Sequence, residues 1–222
     1  MKPWQMQFES RLGAADAPPV LNRDLLARMA RSAHGRTVPA SSLSHWLKSA
    51  LARGKLERVQ RGLYLNGFRT PPGRLADAAA WLCSDAVVSL NSVLGDAGIL
   101  NNPTHTLTAL VPVDAGAPPQ LGRKPTAAGV FHFFGVPRRI LEAGEAADRL
   151  QADDGMEHAR ATPEKALIDW LYLAASPRSH RTWPVRGDLD LSLLDMRRLQ
   201  RLVRAAGMEK ILDDWLAPSG TA

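Results

Sequence analysis

Between Asn22 and Asn66 the spacing of apolar residues changes from helical to strand-like, and few folds accommodate the order of elements that results. Asn22 can cap free backbone N–H groups, and Leu25, Leu26 and Met29 recur behind it at helical spacing, which predicts a helix over 23–33 ended by His34-Gly35. Ser41 and Ser42 are capping residues ahead of Leu43, Trp46, Leu47, Ala50 and Leu51, an i, i+3, i+4, i+7, i+8 stripe that predicts a second helix over 42–53. Gly54 stops it. The period then falls to about two, through Leu56-Glu-Arg-Val-Gln60, a turn at Arg61-Gly62 and Leu63-Tyr-Leu-Asn66, which predicts a short hairpin. Helix, turn, helix and hairpin in that order predict a winged helix-turn-helix, in which the second helix enters the DNA major groove. Ahead of these, 4–12 reads as a helical turn or two before the breaker Ala17-Pro18-Pro19, with no role assigned by the pattern.

Charge separates the same segment from the rest. Residues 1–74 hold 13 of the 28 Lys and Arg against 4 of the 22 Asp and Glu, and the remainder holds 15 against 18. A net of +9 followed by −3 is the footprint of one module that neutralises phosphates joined to a body that does not, so double-stranded DNA is the expected partner. Pro71-Pro72-Gly73 marks the expected boundary, giving a DNA-binding domain over 1–70 and a C-terminal domain over 74–222. With the second helix packed on its apolar stripe, Ser41, Ser42, Ser44, His45, Lys48 and Ser49 are the candidates to face bases. Arg53, Lys55, Arg58 and Arg61, on or beside the hairpin, are the candidates to hold phosphates.

The C-terminal part mixes patterns. Helices are expected over 75–83 and 91–98, strands over 86–90, 106–112, 129–136 and 156–161, and a Pro- and Gly-rich loop over 114–125. Thr162-Pro163-Glu164 combines a cap, proline at the first helical position and an early acid, and opens a helix through about Ala174. Two further helices are expected over 193–206 and 208–216, with a polar loop over 176–187 before them. The fold class is α+β: an N-terminal winged helix-turn-helix, then a larger α+β domain with a small sheet flanked by helices.

Catalytic motifs are missing. No G-x-x-x-x-G-K-[ST] or G-x-G-x-x-G phosphate cradle occurs, no Asp-x-Lys or Glu-x-Lys of a restriction-type nuclease, and no G-x-S-x-G elbow. Asp188-Leu-Asp190 has the spacing of a nucleotidyltransferase carboxylate pair, but no Gly-Ser phosphate turn precedes it. The six histidines, at 34, 45, 105, 132, 158 and 180, include no H-x-x-x-H pair, and His105 and His132 fall in expected strands. The expectation is a protein that is not an enzyme, with no cofactor and no metal. The lone Cys83, in an apolar run, reads as a core residue. No run approaches the roughly 18 apolar residues of a membrane span, and no secretory signal opens the chain, so a cytoplasmic protein without a membrane partner is expected.

One further concentration of signal is Ala161-Thr-Pro-Glu-Lys-Ala-Leu-Ile-Asp-Trp-Leu-Tyr-Leu-Ala174. Ala166, Leu167, Trp170, Leu171 and Ala174 make an apolar stripe, and Glu164, Lys165 and Asp169 are candidates to line a functional surface. Three stretches together resemble the AbiEi-type antitoxins of bacterial abortive-infection toxin-antitoxin systems. They are Arg53-Gly-Lys-Leu-Glu-Arg-Val-Gln-Arg-Gly-Leu-Tyr-Leu65, Val88-Ser-Leu-Asn-Ser-Val-Leu-Gly-Asp-Ala-Gly-Ile-Leu100 and Ala161-Thr-Pro-Glu-Lys-Ala-Leu-Ile-Asp169. The resemblance implies an N-terminal domain that binds inverted repeats in its own promoter and represses it, as a monomer or weak dimer that acts cooperatively on DNA. It also implies a C-terminal domain that counters a nucleotidyltransferase toxin without a stable complex. The chain departs from the family in having only Lys48 on the exposed face of the second helix, with Arg53 at its end. Two alternatives stay open: a winged-helix repressor that senses a small ligand, and a metal-dependent nucleic-acid-processing enzyme.

Overall fold

The computed structural model describes residues 2–102, 104–113, 121–151, 158–179 and 181–217, and the fold is mixed α+β with two small sheets. The chain divides into two compact units, Met1–Ala78 with Pro125–Val130, and Ala79–Lys124 with Phe131–Ala222.

In the first unit the order is α1 (Pro3–Leu12), β1 (Val20–Asn22), α2 (Arg23–His34), α3 (Ala40–Ala52), β2 (Leu56–Gln60) and β3 (Leu63–Asn66). Asn22 caps α2 as expected, its Oδ1 accepting from the Leu25 N–H at 2.8 Å, and Gly35 ends the helix in the left-handed region at φ 72°. The α3 start differs from the expectation. Pro39, extended, is the N-cap and its carbonyl accepts from the Leu43 N–H, so Ser41 and Ser42 fall inside the first turn rather than capping it. The reason is local: proline's fixed φ and missing N–H suit a helix entry and leave no side-chain cap to be made.

The three strands form an antiparallel sheet in the order β1-β3-β2. The hairpin carries a bulge between Arg58 and Gln60. Strict alternation would place Leu56 and Val59 on opposite faces; the extra residue turns both inward and leaves Glu57, Arg58 and Gln60 exposed. The core of the unit gathers Trp4, Phe8 and Leu12 of α1 with Leu21, Leu26, Ala30, Trp46, Leu56 and Tyr64. The segment with no assigned role in the sequence is thus a full helix that supplies three core side chains.

The first unit runs on past the Pro71-Pro72-Gly73 stretch. Gly73 donates to the Asn66 carbonyl at 2.8 Å, and a Cβ on it would stand 2.1 Å from the Pro19 carbonyl oxygen, so only glycine fits this approach. Asn66 itself is fully buried: its Nδ2 donates to the Leu12 and Pro18 carbonyls and its Oδ1 accepts from the Phe68 N–H.

Beyond residue 78 the chain continues with α4 (Ala79–Leu82), β4 (Val87–Val88), α5 (Asn91–Asp96), β5 (Thr106–Pro112), β6 (Gly122–Thr126) and β7 (Gly129–Val136), of which residues 125–130 are counted with the first unit. Next come α6 (Arg138–Leu141), α7 (Ala146–Arg149), β8 (Ala159–Arg160), α8 (Pro163–Ala175), α9 (Met196–Ala206) and α10 (Glu209–Leu216). The five-stranded sheet has the order β6-β7-β5-β4-β8, with β4 antiparallel to β5 and parallel to β8. The strand β6 occupies residues expected in a loop. It is an edge strand, where Pro125 and the flanking glycine are tolerated because no partner needs the missing N–H. The expected strand over 156–161 is seen at Ala159–Arg160, and residues 156 and 157 lie outside the described residues, as do 114–120 of the expected loop. His105 stands just ahead of β5, exposed, whereas His132 is in β7.

Thr162 caps α8 as expected, and Asp195 caps α9 by accepting from the N–H groups of Arg197 and Arg198, which starts that helix three residues later than the apolar pattern suggests. Helix α8 is the centre of the unit, packed by α5, α9 and α10. Cys83 is buried, and burial pushes its thiol pKa up. Among the described residues no helix is long and apolar enough to cross a membrane.

Candidate nucleic-acid interface

On α3 the packed and free faces separate cleanly. Trp46 and Ala50 are buried, and Leu43, Leu47 and Leu51 pack against the same core. Ser41, His45, Lys48 and Ser49 are exposed, and Ser42 and Ser44 are half-buried. No carboxylate occurs anywhere in α3. Helix entry through Pro39 puts Ser41, Ser42 and His45 beside Lys2, Trp4 and Gln5, and together these line a cleft of about 610 Å³. The Ser44 hydroxyl accepts from Arg23 Nη2 at 3.3 Å, which brings an exposed arginine at the start of α2 beside the free face of α3. Sequence periodicity did not single out Lys2 or Arg23, because each belongs to a different element and only the packing of α1 and α2 brings it there.

The hairpin side holds Lys55, Arg58 and Arg61, all exposed. Gly62 makes the turn at φ 84°, and its carbonyl accepts from the Arg23 N–H at 3.2 Å, so the hairpin tip is pinned to the first residue of α2. Arg53 stands apart from these cations. Its Nη2 lies 2.7 Å from Glu9 Oε1, and the same oxygen accepts from Trp46 Nε1 at 2.9 Å. An arginine engaged by a carboxylate is a weaker phosphate ligand, so Arg53 orders α1 against α3; Lys48, Arg58 and Arg61 make no ion pair among the described residues, and Lys55, exposed, lies near enough to Glu9 for its charge to act there.

Burial alone would raise the Glu9 pKa, but the hydrogen bonds from Arg53 and Trp46 outweigh it and hold the carboxyl below the ordinary carboxylate range. A depressed folded pKa contributes stability that is present above the unfolded value and lost as pH falls through the folded one. Glu9→Gln is therefore expected to flatten the acid limb of the first unit's stability profile below about pH 4.5, read by thermal denaturation at stepped pH.

The C-terminal candidates lie inside. Glu164, Lys165 and Asp169 are 3%, 2% and 0% exposed, so they do not line a surface. Glu164 accepts from the Asp195 N–H at 2.8 Å and faces Arg198, which ties α8 to the start of α9. Lys165 is bonded to Asp169 Oδ1, one turn along the helix, and Ser89 Oγ donates to Asp169 Oδ2 at 2.8 Å. Helical spacing alone could not tell a solvated charge pair from one folded under a neighbouring strand. The Asp188 and Asp190 pair is a turn: Asp190 Oδ1 accepts from the Ser192 N–H and hydroxyl, and among the described residues no cluster of three His, Cys, Asp or Glu has metal-site geometry.

No family model and no curated protein matches this sequence. Among solved structures, the chain is similar to the crystal structure of the Rv2827c protein from Mycobacterium tuberculosis. The TM-score is 0.54 at 18% identity, over 96% of this chain and 77% of that one. A likeness at that identity concerns the fold.

Proposed function

We propose that the first unit is a winged helix-turn-helix that binds double-stranded DNA through α3 and the β2-β3 hairpin. The observation that carries this reading is the free face of α3. It presents serines, His45 and Lys48 with no carboxylate among them, beside the exposed Lys55, Arg58 and Arg61. Small hydroxyls and an imidazole suit close approach to base edges, and the hairpin cations suit phosphates. In line with the three stretches that resemble AbiEi-type antitoxins, the protein acts as a repressor of its own promoter, and its second unit, which is not catalytic, counters a nucleotidyltransferase toxin encoded beside it.

The test is fluorescence anisotropy of the full chain on the DNA upstream of its own gene, over 50–200 mM salt. Affinity is expected to fall log-linearly with salt, and Lys48→Ala/Arg58→Ala/Arg61→Ala to weaken binding at least ~10-fold and flatten the slope by ~0.9 for each phosphate no longer neutralised. Absent or salt-insensitive binding overturns the DNA-binding reading. Growth rescue on co-expression with the neighbouring reading frame tests the antitoxin role separately.

One observation favours a second reading, a repressor that senses a small ligand: the second unit holds a cleft of about 790 Å³ lined by Trp170 and Arg181. Such a ligand would change DNA affinity, and DNA would change ligand affinity by the same factor.

A further inference from the structure

Arg181 is the least ordinary cation of the second unit. Its guanidinium lies 4.5 Å from the ring centroid of Trp170 and 4.9 Å from that of Phe134. Its Nη2 donates to the Asn91 side-chain oxygen, while its buried Nε has no hydrogen-bond partner among the described residues. Arg181 is half-buried, and among the described residues no carboxylate stands within ion-pair distance of it, although Lys165 and Arg160, which are buried in this unit, have Asp169 and Asp96. Removing water from a cation without supplying an anion is costly, and the cost shows in the group itself, whose pKa burial pulls down to about 10.

The surroundings are built rather than accidental. The Arg181 backbone N–H donates to Ser179 Oγ at 3.2 Å within its own loop, and Trp170 Nε1 donates to the Thr182 carbonyl at 2.9 Å, which ties the loop that carries the guanidinium to α8. Asn91 follows Leu90, a non-glycine residue at φ 60°, ψ −135°, a strained conformation that persists only where packing imposes it. The strained residue precedes Asn91, whose side chain bonds the guanidinium. Around it opens the cleft of about 790 Å³, with Val113, Leu121, Phe134, Trp170 and Leu173 as apolar lining. His132, stacked on Phe134 with centroids 4.0 Å apart, is held neutral near pH 7 by burial and by Arg181 and Arg123. It adds a hydrogen-bonding group without a competing charge.

We propose that this cleft binds a small organic anion with one carboxylate and a flat or branched apolar body, the carboxylate meeting the Arg181 guanidinium and the body lying against Leu173, Val113 and Leu121. Size, apolar lining and a few convergent polar groups, with Arg181 among them, are the marks of a small-molecule site. Arg178, exposed, also lines the cleft, but Arg181 is the cation set between the rings, and the largely apolar surroundings favour a monoanion with an apolar body over a polyphosphate; the inference stands whether or not the first unit binds DNA.

The experiment is ligand-observed fluorine NMR on the full chain with 4-fluorophenylacetate and 4-fluoroindole-2-carboxylate, with 4-fluorophenylacetamide and ATP as controls. The carboxylates are expected to broaden at millimolar or lower concentration, to bind at least tenfold more tightly than the amide, and to be displaced by each other but not by ATP. Arg181→Gln is expected to weaken them at least tenfold. Leu121 is 45% exposed, so its variants test the site without straining the fold: Leu121→Glu is expected to weaken the carboxylates several-fold and Leu121→Lys to tighten them. Absent binding of both carboxylates, equal affinity for the amide, displacement by ATP, or indifference to the sign of charge at 121 overturns the proposal.

Discussion

Lys165→Met is expected to cost the protein ~3–5 kcal/mol of stability, because it strips the cation from a buried ion pair and strands the anion. Asp169 is fully buried, and both of its oxygens are used, one by Lys165 and the other by the Ser89 hydroxyl. With the ammonium gone, only one hydroxyl compensates the carboxylate. Burial already pushes the Asp169 carboxyl above its ordinary value, against the Lys165 charge and the Ser89 hydrogen bond, which pull it down. Without Lys165 the group is expected to take up a proton. A folded pKa raised above the unfolded one means that the folded state binds the extra proton, so the variant recovers stability as pH falls through that raised value.

The double variant Lys165→Met/Asp169→Leu separates the pair's worth from the penalty of breaking it. Replacing both partners with apolar residues of similar volume is expected to be near neutral relative to the single variant's loss, with the Ser89 hydroxyl the only group left over. Urea denaturation of the three proteins, followed by circular dichroism, makes the comparison. A single variant within about 1 kcal/mol of the parent would show that water reaches the pair and that α8 is less tightly covered than its burial indicates.

These same residues show where the sequence is legible and where it stops. The opening of α8 could be read directly, since a cap, a proline and an acid in succession have one structural meaning. The fate of Lys165 and Asp169 could not be read, because i, i+4 spacing is shared by surface pairs and buried ones. The distinction is made by Ser89, 80 positions away in sequence. In the first unit, α2, α3 and the hairpin follow from local periodicity, and the sheet positions of Leu56 and Val59 needed a bulge that no local pattern announces. The short strands β1 and β6 were missed for opposite reasons: β1 has three residues beside a double proline, and β6 carries a proline that an edge position excuses. Of the interface, the charges were visible along the chain. The bond that engages Arg53 was not, because Glu9 lies 44 positions before it in a helix whose role only packing defines.

That packing makes Trp46 the position on which the proposed DNA-binding face depends. It is 2% exposed, its ring centroid lies 4.6 Å from that of Phe8 and 5.9 Å from that of Phe68, and its Nε1 donates to Glu9. Trp46→Ala is expected to cost ~3–5 kcal/mol, because it removes the indole from between two rings and leaves a cavity, and that is a large part of the stability of a unit this small. Trp46→Phe keeps most of the buried ring and removes only the donor to Glu9. Since Arg53 still satisfies that carboxylate, the loss should be ~1 kcal/mol. The Trp46 indole is buried in the core while His45, Lys48 and Ser49 of the same helix are exposed, so the two variants separate positioning from direct recognition. At a temperature where Trp46→Phe is folded, its DNA affinity and salt slope should match the parent, while Trp46→Ala loses binding in step with its loss of helical signal. If Trp46→Phe instead loses affinity with its fold intact, the donor to Glu9 sets the helix angle finely enough to govern recognition, and Glu9→Gln should then show the same loss.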